Sequence, residues 1–237
     1  MDRARNLART GDSRLSMDTI FRGDLSSSRG RRLAWVDSLF VDHAFFRLVW
    51  SNFAPVVPGR LYRSNHPTPR RLAKLTRTFG LRTLINLRGE AGNGSDALSR
   101  EAAERLGLTF IDAPLDSRDA PSVGRVLHLM EVYRTMAEPA LLHCKSGADR
   151  AGIAAAIYLL AQGRDANEAL AQLSLRFGHF RHSRAGVLDA FVLRYRAAAG
   201  RPFAEWLQEE YDAAALSREY SAHGFISFFN DRVLARE

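Results

Sequence analysis

The sequence predicts an α/β fold in which a central, mostly parallel sheet of four to five strands is flanked by helices, with a helical part at the C-terminal end. Three observations lead there. From residue 60 onward, short apolar runs rich in β-branched residues alternate with helical stretches of ten residues or more. Strands joined by connections of that length run parallel, because a hairpin needs only a few residues whereas a crossover needs about a dozen. Several helical stretches also stop at a glycine (Gly80, Gly107, Gly163), the residue that most readily takes the left-handed conformation closing a helix. Finally, 237 residues with 46% hydrophobic and 25% charged side chains suit one folded domain rather than a disordered chain.

The elements follow in order. "RLYRSN" (60–65) reads as a short strand and "TPRRLAKLTRTFG" as a helix closed by Gly80. "TLINLRG" (83–89) is apolar and β-branched enough for a buried strand. The loop "EAGNGSD" leads into the helix "ALSREAAERLG", and "LTFIDAPL" (108–115) is the next strand. After the polar loop "DSRDAPS", a helix is expected over about 122–137, then the strand "PALLHC" (139–144) and a helix from Asp149 to Gln162. The remainder reads as helical: "DANEALAQLSLRF" (165–177), "AGVLDAFVLRYRAAAG" (185–200) and "PFAEWLQEEYD" (202–212). The last stretch, "YSAHGFISFFNDRVLARE", carries no assignable pattern.

Residues 1–35 mix Arg, Asp, Ser and Gly without hydrophobic periodicity, and we read them as a flexible basic segment ahead of a single domain over 36–237. The aromatic-rich "LAWVDSLFVDHAFFRLVW" (33–50) is expected to be a helix docked on that domain. An amphipathic helix lying on an anionic membrane, with Arg29, Arg31 and Arg32 at the lipid, is the less favoured reading. No run approaches the roughly 18 apolar residues needed to span a bilayer. The N-terminus has charge without an apolar run behind it, so a cytoplasmic location is the expectation. The formal charge of +8 is spread along the chain, and of 34 basic residues only Lys74 and Lys145 are lysines. No nucleic-acid-binding motif accompanies that charge, so nucleic acid is not the expected partner.

The chain has one cysteine, Cys144, in "LLHCKSGADRAGIAAAIYLL" (141–160). It falls at the carboxyl end of a predicted strand, where open α/β sheets bind ligands. Between that strand and the next helix, the backbone N–H groups of residues 145–150 lack partners in either element and can converge on an anion. Gly147 permits the turn, and Arg150 offers a planar fork of donors that grips two oxygens of a phosphate. The same surroundings favour a negative sulfur, which makes Cys144 a candidate nucleophile. His143 is expected to hold the loop in shape through hydrogen bonds. As a mere surface charge, Arg150 would be unfavourable in the first turn of a helix unless an anion offset it.

"HCKSGADRAG" resembles the HCxxGxxR signature of the cysteine-dependent protein tyrosine phosphatase superfamily, and most of all its dual-specificity-like bacterial branch. The resemblance runs from "LYRSNHP" through "TLINLRGE" to the helix after the loop and on to "GVLDAF". It implies a phosphomonoesterase that forms a phosphocysteine intermediate and uses no metal or other cofactor. By position, Cys144 is then the nucleophile and Arg150 the phosphate clamp. Lys145, Ser146, Gly147, Ala148 and Asp149 supply the loop amides.

The family draws its general acid from the loop after the third of these strands, here "PLDSRDAPS", which offers Asp116 first and Asp119 second, the latter also reading as a helix cap. Asp149 is a third candidate, and holding Arg150 or capping the helix are its other readings. Where the family usually carries Ser or Thr after the arginine, this chain has Ala151, so slow breakdown of the phosphocysteine is expected unless Ser146 or backbone donors compensate. Lys145 matches a lysine of phosphoinositide-cleaving relatives, with a solvated side chain as the equal alternative. His179, Arg181, His182 and Arg184 in "FGHFRHSRAG" are read either as a wall of a substrate cleft or as a solvated basic loop. The expected function is therefore a tyrosine or dual-specificity protein phosphatase acting on a phosphorylated protein. The alternatives are a phosphatase of phosphoinositides or phospholipid headgroups, and a non-catalytic phosphate-binding module.

Overall fold

A computed structural model describes residues 19–21, 23–38, 51–198 and 200–221. Its sheet has five strands, β1 (Ala54–Val57), β2 (Leu61–Asn65), β3 (Thr83–Asn86), β4 (Thr109–Asp112) and β5 (Ala140–Cys144), in the order β1-β2-β5-β3-β4. All neighbours pair in parallel except β1 and β2, so the expected mostly parallel α/β sheet is what forms. β1 is the strand that sequence reading did not anticipate. It is four residues long, contains Pro55 and has an irregular register against β2. Proline removes a ladder donor, so such a strand is tolerated at a sheet edge and gives little sequence signal.

Helices cover both faces. On one side α2 (Pro69–Phe79) and α3 (Gly94–Arg105) pack Leu72, Leu75, Ala102 and Ala103 against Leu84 and Leu141. Thr68 caps α2 by accepting from the Arg71 amide, and Gly80 closes it with φ 63°, so the predicted glycine stop acts as read. On the other side lie α4 (Val123–Thr135), α5 (Asp149–Ala161), α6 (Ala166–Leu170), α7 (Val187–Ala197) and α8 (Phe203–Glu209). Every residue of α5 from Ala151 to Leu160 is buried. A helix apolar all round has to sit inside, and α5 runs through the larger core with Leu142, Phe191 and Trp206. Residues 213–221 are helical and close this side.

Three boundaries differ from expectation. The stretch 165–177, read as one helix, stops at Leu170 and resumes only as a 3₁₀ turn at Leu175–Phe177, because Gln172 and Phe177 are drawn to a buried arginine described below. Helix α3 starts at Gly94, three residues early, with the Asn93 side chain accepting from the Asp96 amide. Part of the segment read as flexible also folds, as residues 28–35 lie in α1 (Ser28–Val36). α1 touches α3 backbone to backbone: a Cβ on Gly94 would lie 2.3 Å from the Ala34 carbonyl oxygen. The buried Asp37 side chain accepts from the amides of Gly94 (2.7 Å) and Ile20 (2.9 Å) and from the Thr19 hydroxyl. Most of the expected 33–50 helix, residues 1–18 of the expected tail, and the last stretch from 222 lie outside the described residues. Among the described residues no helix is long and apolar enough to cross a membrane.

Candidate active site

Cys144 ends β5 in register with Asn65 of β2 and is buried. The loop that follows is fixed from outside, carbonyl by carbonyl. The Lys145 oxygen accepts from the His66 amide (3.4 Å) and the Ser146 oxygen from Asn52 Nδ2 (3.0 Å). Arg63 Nη2 donates to the Gly147 oxygen (2.8 Å) and the Ala148 oxygen (3.1 Å). In a planar trans peptide the carbonyl and the next N–H point opposite ways. Anchoring the carbonyls of 145–148 on one side therefore turns the amides of 146–149 to the other. The Gly147 amide duly reaches Cys144 Sγ at 3.2 Å.

Gly147 is required twice over. Its φ is 77°, a conformation L side chains rarely adopt, and an added Cβ would lie 2.6 Å from the Asn65 amide nitrogen. Arg150 is the second residue of α5, partly buried, and Ala151 is fully buried behind it. Lys145 is partly buried and Ser146 exposed, with the Ser146 hydroxyl accepting from the Ala148 amide at 3.3 Å. His143 is fully buried, its ring edge packed on His66 at 4.7 Å and its carbonyl accepting from the Leu87 amide. His66 donates its amide to the Lys145 carbonyl, so the brace on the loop comes from His66, on whose ring His143 packs.

Arg63 is the unexpected member. It is 0% exposed, lies over the Phe177 ring at 3.9 Å, and donates through Nη1 to the Gln172 carbonyl at 2.7 Å. Burial pushes its guanidinium down to about 10, while the nearness of Cys144 and Asp149 works the other way. Asn52, at φ 42°, also donates to the Phe177 carbonyl at 2.9 Å. Segment 172–179 and the 144–150 loop are thus held by the same two side chains. A charged residue inside an all-buried strand was a readable signal for Arg63; Asn52 offered none.

Of the carboxylates, Asp116 lies in the loop after β4 and accepts from Arg125 Nη1 at 2.5 Å, both side chains exposed. Asp119 does not cap α4, whose N-cap residue is Ser122. It lines a cleft of about 410 Å³ with Arg118, His182, Arg184, Ser217 and Tyr220. Asp149, the first residue of α5, accepts from His179 Nδ1 at 2.8 Å. His179 is correspondingly not part of a cleft wall. Its side chain is fully buried, and Nε2 meets the buried Asp189 Oδ2 at 2.5 Å. Burial works to lower its pKa, but hydrogen bonds and charge from both aspartates outweigh it and raise the value to about 9. Of the four residues singled out in that basic loop, His182 and Arg184 reach the cleft.

The family model described as the DSP-PTPase phosphatase domain of Swiss Army Knife proteins matches residues 50–219. Among solved structures, a DUF442 protein of Shewanella putrefaciens CN-32 aligns with a TM-score of 0.52 at 18% identity, over 66% of this chain and 97% of that one, which shows the shared fold. Pseudomonas aeruginosa TpbA aligns at 23% identity over 72% of this chain and 91% of its own, with a TM-score of 0.49. The core catalytic domain of the PP-IP phosphatase SIW14 from Saccharomyces cerevisiae, solved with citrate, aligns at 18% identity over 74% and 94%, with a TM-score of 0.45. No curated protein matches the chain.

Proposed function

Because the chain belongs to the family of DSP-PTPase phosphatase domains of Swiss Army Knife proteins, we propose that it hydrolyses phosphomonoesters through a phosphocysteine at Cys144, as a tyrosine or dual-specificity protein phosphatase. The observation that carries this reading is the 144–150 loop, with its carbonyls anchored outward and the Gly147 amide on Cys144 Sγ at 3.2 Å. Main-chain donors arranged this way favour both a thiolate and a tetrahedral oxyanion.

In the proposed first step the Cys144 sulfur attacks phosphorus, the P–O bond to the leaving group breaks, and a carboxylic acid protonates the departing oxygen. The amides of 145–149 and the Arg150 guanidinium hold the equatorial oxygens as charge builds on them. Asp116 is our first choice for the acid and Asp119 the second, from the loop after β4. Asp116 would have to leave Arg125 to act. In the second step water attacks phosphorus, the P–S bond breaks and the thiolate is restored. His143 and His66 keep the loop in shape.

The cleft beside Asp119, with Arg118, His182 and Arg184 on its walls, favours a second reading in which the substrate carries a further anionic group, as a phosphoinositide headgroup does. The test is a panel of phosphopeptides, inositol phosphates and phosphoinositides with wild type, Cys144→Ser and Asp116→Asn. Cys144→Ser is expected to lose turnover on every substrate while still binding it. Residual turnover above a hundredth of wild type in that variant contradicts the phosphocysteine route. An unchanged rate for Asp116→Asn on a poor leaving group moves the acid to Asp119 or Asp149.

A further inference from the structure

A carboxylate beside an oxyanion site is a liability, because it repels the incoming anion and competes for the arginine that should bind it. Asp149 stands in that place, next to Arg150 in the first turn of α5, yet its side chain is turned to His179. We propose that His179 is a positioning residue of the phosphate site, whose imidazolium, clasped between Asp149 and Asp189, neutralises the carboxylate next to Arg150 and keeps it from that guanidinium.

The geometry calls for a cation. Both ring nitrogens face carboxylate oxygens, at 2.8 and 2.5 Å, and only the protonated ring donates from both. The ring is fully buried and Asp189 nearly so, so water cannot take either carboxylate's place as partner. The other charged groups around the pair fit this reading. Arg181 Nε of the same loop stands 4.0 Å from Asp189 Oδ1, the charge of Asp189 reaches Tyr220 of the terminal helical run, and that of Asp149 reaches Arg63 of β2. Arg63 is committed to the carbonyls of Gly147, Ala148 and Gln172, so within the cluster itself His179 and Arg181 balance Asp149 and Asp189, and Arg150 is left to face the substrate. With its pKa near 9, His179 holds this charge throughout the neutral range.

The inference rests on reading 144–150 as the phosphate site, and the experiment separates the two. Aryl phosphate kinetics and the inhibition constant of inorganic phosphate are measured for wild type, His179→Gln, Asp149→Asn and the double variant. Removing the cation is expected to raise KM and the inhibition constant about tenfold, with less effect on kcat, by exposing one negative charge to the anion. Asp149→Asn removes that charge, so the double variant is expected to return to within about threefold of Asp149→Asn, by the logic of a double-mutant cycle. A double variant as impaired as His179→Gln overturns the proposal, and so does an Asp149→Asn variant that loses kcat on a poor leaving group, since Asp149 would then be the acid. Should His179→Gln fail to fold, phosphate inhibition between pH 7 and 10 decides. It is expected to weaken through about pH 9 in wild type and not in Asp149→Asn, and identical profiles contradict the idea. A wild type that neither hydrolyses aryl phosphate nor binds phosphate sinks the phosphate-site reading itself.

Discussion

At the scale of single residues, the site depends on which atoms are turned where. Gly147 shows it most sharply, since its left-handed backbone brings one amide to Cys144 Sγ while its missing Cβ lets Asn65 approach. Ala151 shows what an absent atom does. It is fully buried behind the loop, so no hydroxyl stands there to stabilise the thiolate in the breakdown of the phosphocysteine we propose. A rapid-mixing assay with an aryl phosphate is therefore expected to show a burst of phenol before steady state. Ala151→Ser is expected to shrink that burst and raise kcat severalfold. A wild type without a burst contradicts slow breakdown of the intermediate.

At the scale of elements, the strand, loop and helix from Ala140 to Ala161 form the candidate site, but segment 172–179 braces it. Arg63 crosses from β2 beneath the loop to the Gln172 carbonyl, and Phe177 stacks under its guanidinium. Arg63→Met would fill most of the space but leave the Gly147 carbonyl without its donor and the Ala148 carbonyl held by the Gly152 amide alone. The amides they orient would drift, and displacement of an ångström or so in a reacting geometry costs on the order of 100-fold in rate. We expect a loss of that size in kcat/KM with the fold retained by circular dichroism. A variant within about threefold of wild type would show that the loop holds its shape without Arg63.

These braces also mark how far the sequence could be read. Local signals were legible: the β-branched strands β3 and β5, the Gly80 stop of α2, and the Cys144 to Arg150 spacing all report chemistry within a few residues. The contacts from Asn52 to Ser146, from Arg63 to Gly147 and from His179 to Asp149 join residues 94, 84 and 30 positions apart, and no local pattern encodes them. For the same reason His179 looked like one more base in a basic loop. Its two aspartate partners come from α5 and α7, and only the tertiary fold brings them together. α1 was missed because its exposed, polar composition looks like linker until Asp37 and Gly94 dock it on α3.

At the scale of the whole molecule, one buried ion cluster ties the loop helix α5 to α7, so its charge state enters global stability. In the folded protein the two flanking carboxylates raise His179 from its ordinary value of 6.5 to about 9. A group raised in this way contributes stability that is fully present below the unfolded value and is lost as pH rises through the folded one. The midpoint of urea unfolding is therefore expected to fall between pH 7 and 10 in wild type, and to fall less in His179→Gln. Equal slopes for the two proteins would show that the ring is not charged in the folded state.

The central claim, that Cys144 and the amides around it form one anion site, is tested most directly by a crystal soaked in vanadate. The account predicts vanadium bonded to Cys144 Sγ, with its equatorial oxygens on the amides of the 145–150 loop and on the Arg150 guanidinium. Vanadate bound elsewhere, or a loop amide set that faces away from Cys144, would contradict it.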